Sequence, residues 1–200
     1  QDLPRDRQLY CNTTAMMHYA KGVAHAALGE VAAAEAEQKL FRAAAKLVPP
    51  SRYMHNVPCT SLLAIAEKML EGEIAYRRGE HDIAFAQLRA AVALEDDLPY
   101  DEPWGWMQPV RHALGALLLE QGRAAEAEAV YREDLGLAGS LPRAQVHPDN
   151  LWSMRGLLDC LERRGETVEA KLIRQRVELA TARADLPVQV SCFCARGKAA

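Results

Sequence analysis

The stretch Leu114-Gly115-Ala116-Leu117-Leu118-Leu119-Glu120-Gln121-Gly122-Arg123-Ala124-Ala125-Glu126-Ala127 decides how the chain is read. An apolar run stops at Gly122, and an alanine-rich run starts directly after it. That pattern is a helix closed by a glycine turn and followed at once by a second helix. Gly115 and Ala127 are small residues placed where the two helices of such a hairpin approach each other. The phrase recurs as Gly22, Gly29 and Ala34, and again as Gly72, Gly79 and Ala84. A fourth copy reads Leu158, Gly165 and Ala170, with the first glycine lost. The turn glycines advance in steps of about 43–50 residues, the range of stacked helix–turn–helix repeats.

Composition agrees. Half of the 200 residues are hydrophobic, many of them alanine, and only 6% are aromatic. Alanine is the strongest helix former, and no stretch alternates polar and apolar residues long enough to imply a sheet. A net charge of −3 argues against nucleic acid or an anionic membrane as a partner. The apolar runs are too short to span a bilayer. The polar start, Gln1-Asp2-Leu3-Pro4-Arg5-Asp6-Arg7, is no signal peptide, and the expected location is cytoplasmic. Five cysteines are too few for a disulfide scaffold and point to a reducing compartment. Cys11, Cys59 and Cys160 read as small buried residues in or beside helices.

Along the chain, helices are expected over residues 9–28, 31–47, 60–78, 81–96, from 106 or 109 to 121, and over 124–135, 151–164 and 168–184. Asn12, Thr13 or Thr14 could cap a later start of the first, and Asp149 or Asn150 the seventh. Pro49-Pro50 opens a loop or short extended insertion. Asp96 to Pro109 holds Pro99, Pro103 and Pro109 with Trp104 and Trp106, and cannot be plain helix. Gly136 to Asn150 forms another insertion. The expected organisation is an N-terminal extension over 1–8, a repeat domain over 9–184 and a tail over 185–200.

The turn glycines and the alanines after them resemble the tetratricopeptide repeat family residue by residue. Tyr131 falls at that family's aromatic position, and Leu114 and Leu157 at its leucine. The usual tryptophan position holds His18, Lys68, Arg111 and Met154 instead, and the spacing exceeds the family's period of about 34. The resemblance covers about residues 12–184. It implies an all-α fold: a right-handed α-solenoid of about four helical hairpins with long insertions. The phrases Tyr100-Asp101-Glu102-Pro103, Tyr131-Arg132-Glu133-Asp134-Leu135, His147-Pro148-Asp149-Asn150 and Cys192-Phe193-Cys194 are similar to one subgroup of bacterial and fungal members. That similarity implies a longer parent chain with further repeats before Gln1. The chain itself starts without an initiator methionine.

By that resemblance the first helix of each hairpin lines a concave groove. The implied contact set is Tyr19, Met69, Glu73, Tyr76, Arg77, His112, Arg155 and Asp159, binding a peptide or protein partner without a cofactor. Aromatic and arginine residues are the expected anchors. The loop Tyr100 to Trp104 has two readings. In one it is a rigid cap, with Trp104 packed beneath and Asp101 and Glu102 complementing the fifth helix's dipole. In the other, Glu102 and His112 face the groove as acid–base groups or ligands. A rival function is a metal-dependent site for copper, zinc or iron. It would use His18, His55, Glu102, His112, Cys192 and Cys194, because two thiols near an imidazole suit a soft ion. As a zinc motif the set is incomplete, lacking a second cysteine pair. His25 and His81 read as ordinary helix residues. The tail is expected to pack back on the array, burying Phe193 and at least one of the two cysteines. No phosphate loop or nucleophile elbow is present in the sequence.

Overall fold

The computed structural model describes residues 9–192. Eight α-helices fill most of that span: α1 Cys11–Ala27, α2 Val31–Ala45, α3 Cys59–Arg77, α4 His81–Asp96, α5 Val110–Glu120, α6 Ala124–Asp134, α7 Leu151–Arg164 and α8 Thr167–Thr181. The only strands among the described residues are β1 Tyr53–Met54 and β2 Val57–Pro58, an antiparallel pair in the first insertion. The all-α expectation stands. Helix ends fall within a few residues of their expected places, since glycine and proline set them. The first insertion is tighter than a loop: it is a hairpin, with His55 at its tip in the left-handed region (φ 51°).

Two compact units divide the chain, Gln1–Met107 and Gln108–Ala200. The boundary falls in the proline-rich stretch, where Pro99, Pro103 and Pro109 keep a helix from forming. In unit 1, α1 packs on α2 and α3, and α3 packs on α2 and α4. In unit 2, α5 packs on α6 and α7, and α7 on α6 and α8.

All four helix pairs turn in the same way. Gly29, Gly79, Gly122 and Gly165 have φ of 82°, 82°, 74° and 75°, a conformation open to glycine at little cost. The residue after each donates its N–H back to the preceding helix: Glu30 to His25, Glu80 to Ala75, Arg123 to Leu118 and Glu166 to Leu161, at 2.9–3.0 Å. This is the Schellman closure, which satisfies carbonyls the helix end leaves open. The same four residues then accept the first bond of the next helix, from Ala34, Ala84, Ala127 and Ala170. Those alanines are 0%, 0%, 0% and 4% exposed.

The small residues upstream receive side chains from neighbouring helices. A Cβ on Gly22 would come within 2.8 Å of Leu70 Cδ1, and one on Gly72 within 2.9 Å of Leu88 Cγ. In unit 2 a single ring does this twice. Tyr131 of α6 lies against Gly115 of α5 and against Gly156 of α7, and a Cβ at either glycine would collide with the ring. The fourth hairpin therefore keeps a glycine notch two residues before Leu158, which is itself buried. Among the helix starts, Asn150 is the one with a side-chain cap, accepting from the Trp152 and Ser153 amides at 3.0 and 3.3 Å. The start of α1 has none; Thr14 bonds back to the Tyr10 carbonyl.

Candidate functional site

In unit 1, Met69, Glu73 and Tyr76 share one face of α3, at the spacing that stacks side chains along a helix. Tyr19 of α1 meets this face. Its hydroxyl lies 3.4 Å from Met69 Sδ, and its ring meets Trp106 edge-on with centroids 5.8 Å apart. Glu73 is 1% exposed, with Arg77 Nη2 at 3.7 Å. Burial, and then the charge of Glu73, push the Tyr19 hydroxyl far above the usual tyrosine range. The Arg77 guanidinium lies 5.2 Å from the centre of the Tyr76 ring, which packs on His81 and Phe85.

Trp106, not Trp104, is the buried indole. Trp106 is 7% exposed, and its Nε1 finds no hydrogen-bond acceptor among the described residues, whereas Trp104 is 43% exposed. Gly105 explains the choice in part. It presses against Val57 so closely that a Cβ there would meet Val57 Cγ2 at 2.6 Å, which fixes the path of the chain into Trp106. The expected cap with Trp104 beneath is thus corrected. Asp101 turns instead to the β-hairpin, accepting from the Asn56 backbone amide at 3.3 Å and from Asn56 Nδ2 at 3.4 Å.

In unit 2 the polar centre is Asp134, at 0% exposure. Three side chains from different places converge on it. His112 Nε2 of α5 donates to Oδ2 at 3.2 Å, Ser153 Oγ of α7 donates to the same oxygen, and His147 Nδ1 of the insertion donates to Oδ1 at 2.8 Å. The His147 amide also donates to the Asp134 carbonyl at 2.6 Å. Burial opposes the charge on Asp134, but the hydrogen bonds from His112 and His147 outweigh it, and the carboxyl is held below its usual range. Beside this knot, the Tyr131 hydroxyl donates to Ser191 Oγ, and Ser191 donates to the His112 carbonyl at 3.4 Å. The chain after α8 therefore returns to α5 and α6, with Ser191 and Cys192 buried. The fold-back expected of the tail is observed as far as Cys192. Phe193 and Cys194 lie outside the described residues.

This arrangement is closed off from solvent. Every acceptor position of Asp134 facing these partners is filled, and His112, His147 and Ser153 are 3%, 6% and 0% exposed. No solvent-facing base or nucleophile emerges from it. The knot joins three helices and an insertion, and the phrases that carry it, Tyr131 to Leu135 and His147 to Asn150, are among those singled out in the sequence.

The expected groove set divides by exposure. Met69, Glu73, Tyr76 and His112 are buried, while Tyr19, Arg77, Arg155 and Asp159 remain partly exposed. Arg155 Nη2 pairs with Asp159 at 3.0 Å. Burial, ahead of the neighbouring charges, raises the Asp159 carboxyl above its usual range. Several described members of the expected metal set have other partners or stand in solvent. His18 Nδ1 pairs with Glu37 at 2.6 Å, His55 is exposed at the hairpin tip, Glu102 is exposed beside Tyr100, and His112 serves Asp134. Among the described residues no group of three or more His, Cys, Asp or Glu side chains is arranged to hold a metal ion. Cys192 is disulfide-bonded. Cys11, Cys59 and Cys160 are free and buried, as expected, and burial pushes the Cys160 thiol up to about 12. No helix among the described residues is long and apolar enough to cross a membrane.

In comparisons with known proteins, no family model, no curated protein and no solved structure matches the chain.

Proposed function

We propose that the chain is a tetratricopeptide-like interaction module, an α-solenoid of helical hairpins whose first-in-pair helices bind a peptide or a partner helix. One observation carries the reading: four turns of the same geometry, each with a buried alanine opening the next helix. Repetition of one supersecondary unit is the hallmark of stacked arrays, and such arrays present their repeated faces to partners. On α3 and α7 those faces carry Arg77, largely buried, and the partly exposed Arg155–Asp159 pair. An arginine held over an aromatic ring, as Arg77 is over Tyr76, keeps its fork ordered for a backbone carbonyl or a carboxylate.

The contact set that follows is narrower than the sequence implied: Tyr19, Arg77, Arg155 and Asp159, with Met69, Glu73, Tyr76 and His112 as the support beneath. Selection of a displayed peptide library on the full chain supplies a ligand to test it. A double variant, Arg77→Glu with Arg155→Glu, is expected to weaken the selected peptide by at least about tenfold, as loss of arginine anchors does. Unchanged affinity in fluorescence anisotropy would remove these helix faces from the binding surface.

A further inference from the structure

The two insertions of unit 1 are stitched together beside the Tyr19–Trp106 contact. Asp101 holds Asn56, and Gly105 lies against Val57. Met54 is the cross-strand partner of Val57, so both side chains stand on the same side of the hairpin, the side met by residues 101–106. This double loop leaves large apolar side chains in water: Met54 is 39% exposed, Tyr100 59%, Trp104 43% and Met107 67%. A single exposed apolar residue is ordinary. Four on two joined loops mark an interaction surface, and Trp, Tyr and Met are the types interfaces favour. The same stretch buries Trp106 at 7% exposure.

Charge selects the partner. Residues 96–107 carry Asp96, Asp97, Asp101 and Glu102 and no lysine or arginine. Asp101 is turned inward to Asn56, while Asp97 and Glu102 are exposed. Glu102 lies close enough to the Tyr100 hydroxyl to raise it above the usual tyrosine range, which sets a carboxylate beside an aromatic ring. Aromatic faces next to carboxylates suit a guanidinium: the ring attracts the cation, and the carboxylate forms a charge-assisted bond with its N–H groups. We propose that this platform docks an arginine-rich, extended segment of a partner protein, with Trp104 and Tyr100 covering guanidinium groups and Asp97 and Glu102 pairing with them.

The test uses the full chain and two fluorescein-labelled peptides, one alternating arginine with glycine and one alternating glutamate with glycine, read by fluorescence anisotropy. The arginine peptide is expected to bind and the glutamate peptide not to. Trp104→Ala should weaken binding by about tenfold. Asp97→Asn with Glu102→Gln should weaken it less and flatten its dependence on salt. Trp152→Ala removes another exposed tryptophan, on α7, and should leave affinity unchanged. Equal binding of the two peptides, no binding of either, or full affinity in a folded Trp104→Ala variant each overturns the proposal. So does sedimentation showing that Trp104→Ala breaks a dimer, because the surface would then belong to a second copy of this chain.

Discussion

The two units meet the same packing problem with different side chains. In unit 1 the glycine notches of α1 and α3 are filled by leucines, Leu70 and Leu88. In unit 2 the notches of α5 and α7 are filled by one tyrosine, Tyr131, from both sides. A leucine in a notch asks for nothing more. A tyrosine brings a hydroxyl, and a buried hydroxyl must find a partner. Unit 2 supplies Ser191 from beyond its last helix, and Ser191 in turn reaches the His112 carbonyl. Next to it, Asp134 brings a charge into the same interior and draws in His112, His147 and Ser153. One substitution of type in a notch thus goes with a whole polar layer, and with an insertion and a tail recruited to complete it.

The largest expected effect tests that polar layer. Asp134→Ala would leave three buried donors without their acceptor. Removing one member of a buried ionic cluster costs about 3–5 kcal/mol. Urea unfolding should show a loss of that order, and hydrogen exchange should place the loosening at α5–α7. A loss below about 1 kcal/mol would mean the layer is replaceable. The pH dependence has a definite sign. The folded carboxyl sits below its usual range, so its stabilisation is fully present above the unfolded value of about 3.9 and fades as pH falls toward the folded value. Stability of the Asp134→Asn variant should therefore fall less steeply than the wild type's as pH drops below about 4.

The second effect compares the notches directly. Gly115→Ala and Gly156→Ala drive a methyl into the face of a ring held on both sides. Overpacking of that kind costs about 1–3 kcal/mol. Gly22→Ala crowds the Cδ ends of Leu70, which can rotate, and meets the Ala34 carbonyl at an ordinary 3.6 Å, while alanine gains up to about 1 kcal/mol in helix propensity. That variant should melt within a degree or two of the wild type, or slightly above it. Equal losses at all three sites would show that the ring is no more rigid than the leucine.

What the sequence disclosed and what it hid follow the same division. Helix ends and turns were legible because each depends on one residue with a special backbone, such as Gly79 or Gly165, or on a proline. The burial of Ala34, Ala84 and Ala127 was legible from the repeat alone. The polar contacts were not. Asp134 reaches His147 across an insertion, and Asp101 reaches Asn56 across two helices, and neither pairing leaves a periodic trace. Tyr131 to Leu135 and His147 to Asn150 stood out as phrases, but nothing in them says that they meet. The groove residues were placed by analogy with a shorter repeat, which gives the helix face and not the depth. Glu73 and His112 thus proved buried rather than open. Trp104 and Trp106 are alike in sequence, and what separates them is long-range contact: Val57 against Gly105 and the Tyr19 ring against Trp106.

The smallest effect isolates the hydroxyl that distinguishes the two kinds of notch. Tyr131→Phe keeps the ring between Gly115 and Gly156 and removes only the donor to Ser191. Ser191 keeps its own bond to the His112 carbonyl, so the variant removes one link and exposes no charge. The loss of one such bond is about 1 kcal/mol. Global stability should fall by no more than that, while amide exchange around Ser191 and Cys192 should quicken well beyond the change elsewhere in unit 2. That pairing of a small global loss with a local one is what a tail fastened by a single hydroxyl demands. If exchange near Ser191 is unaltered, the tail is held by its own packing, and the tyrosine is in the notch for its ring alone, as the leucines are in unit 1.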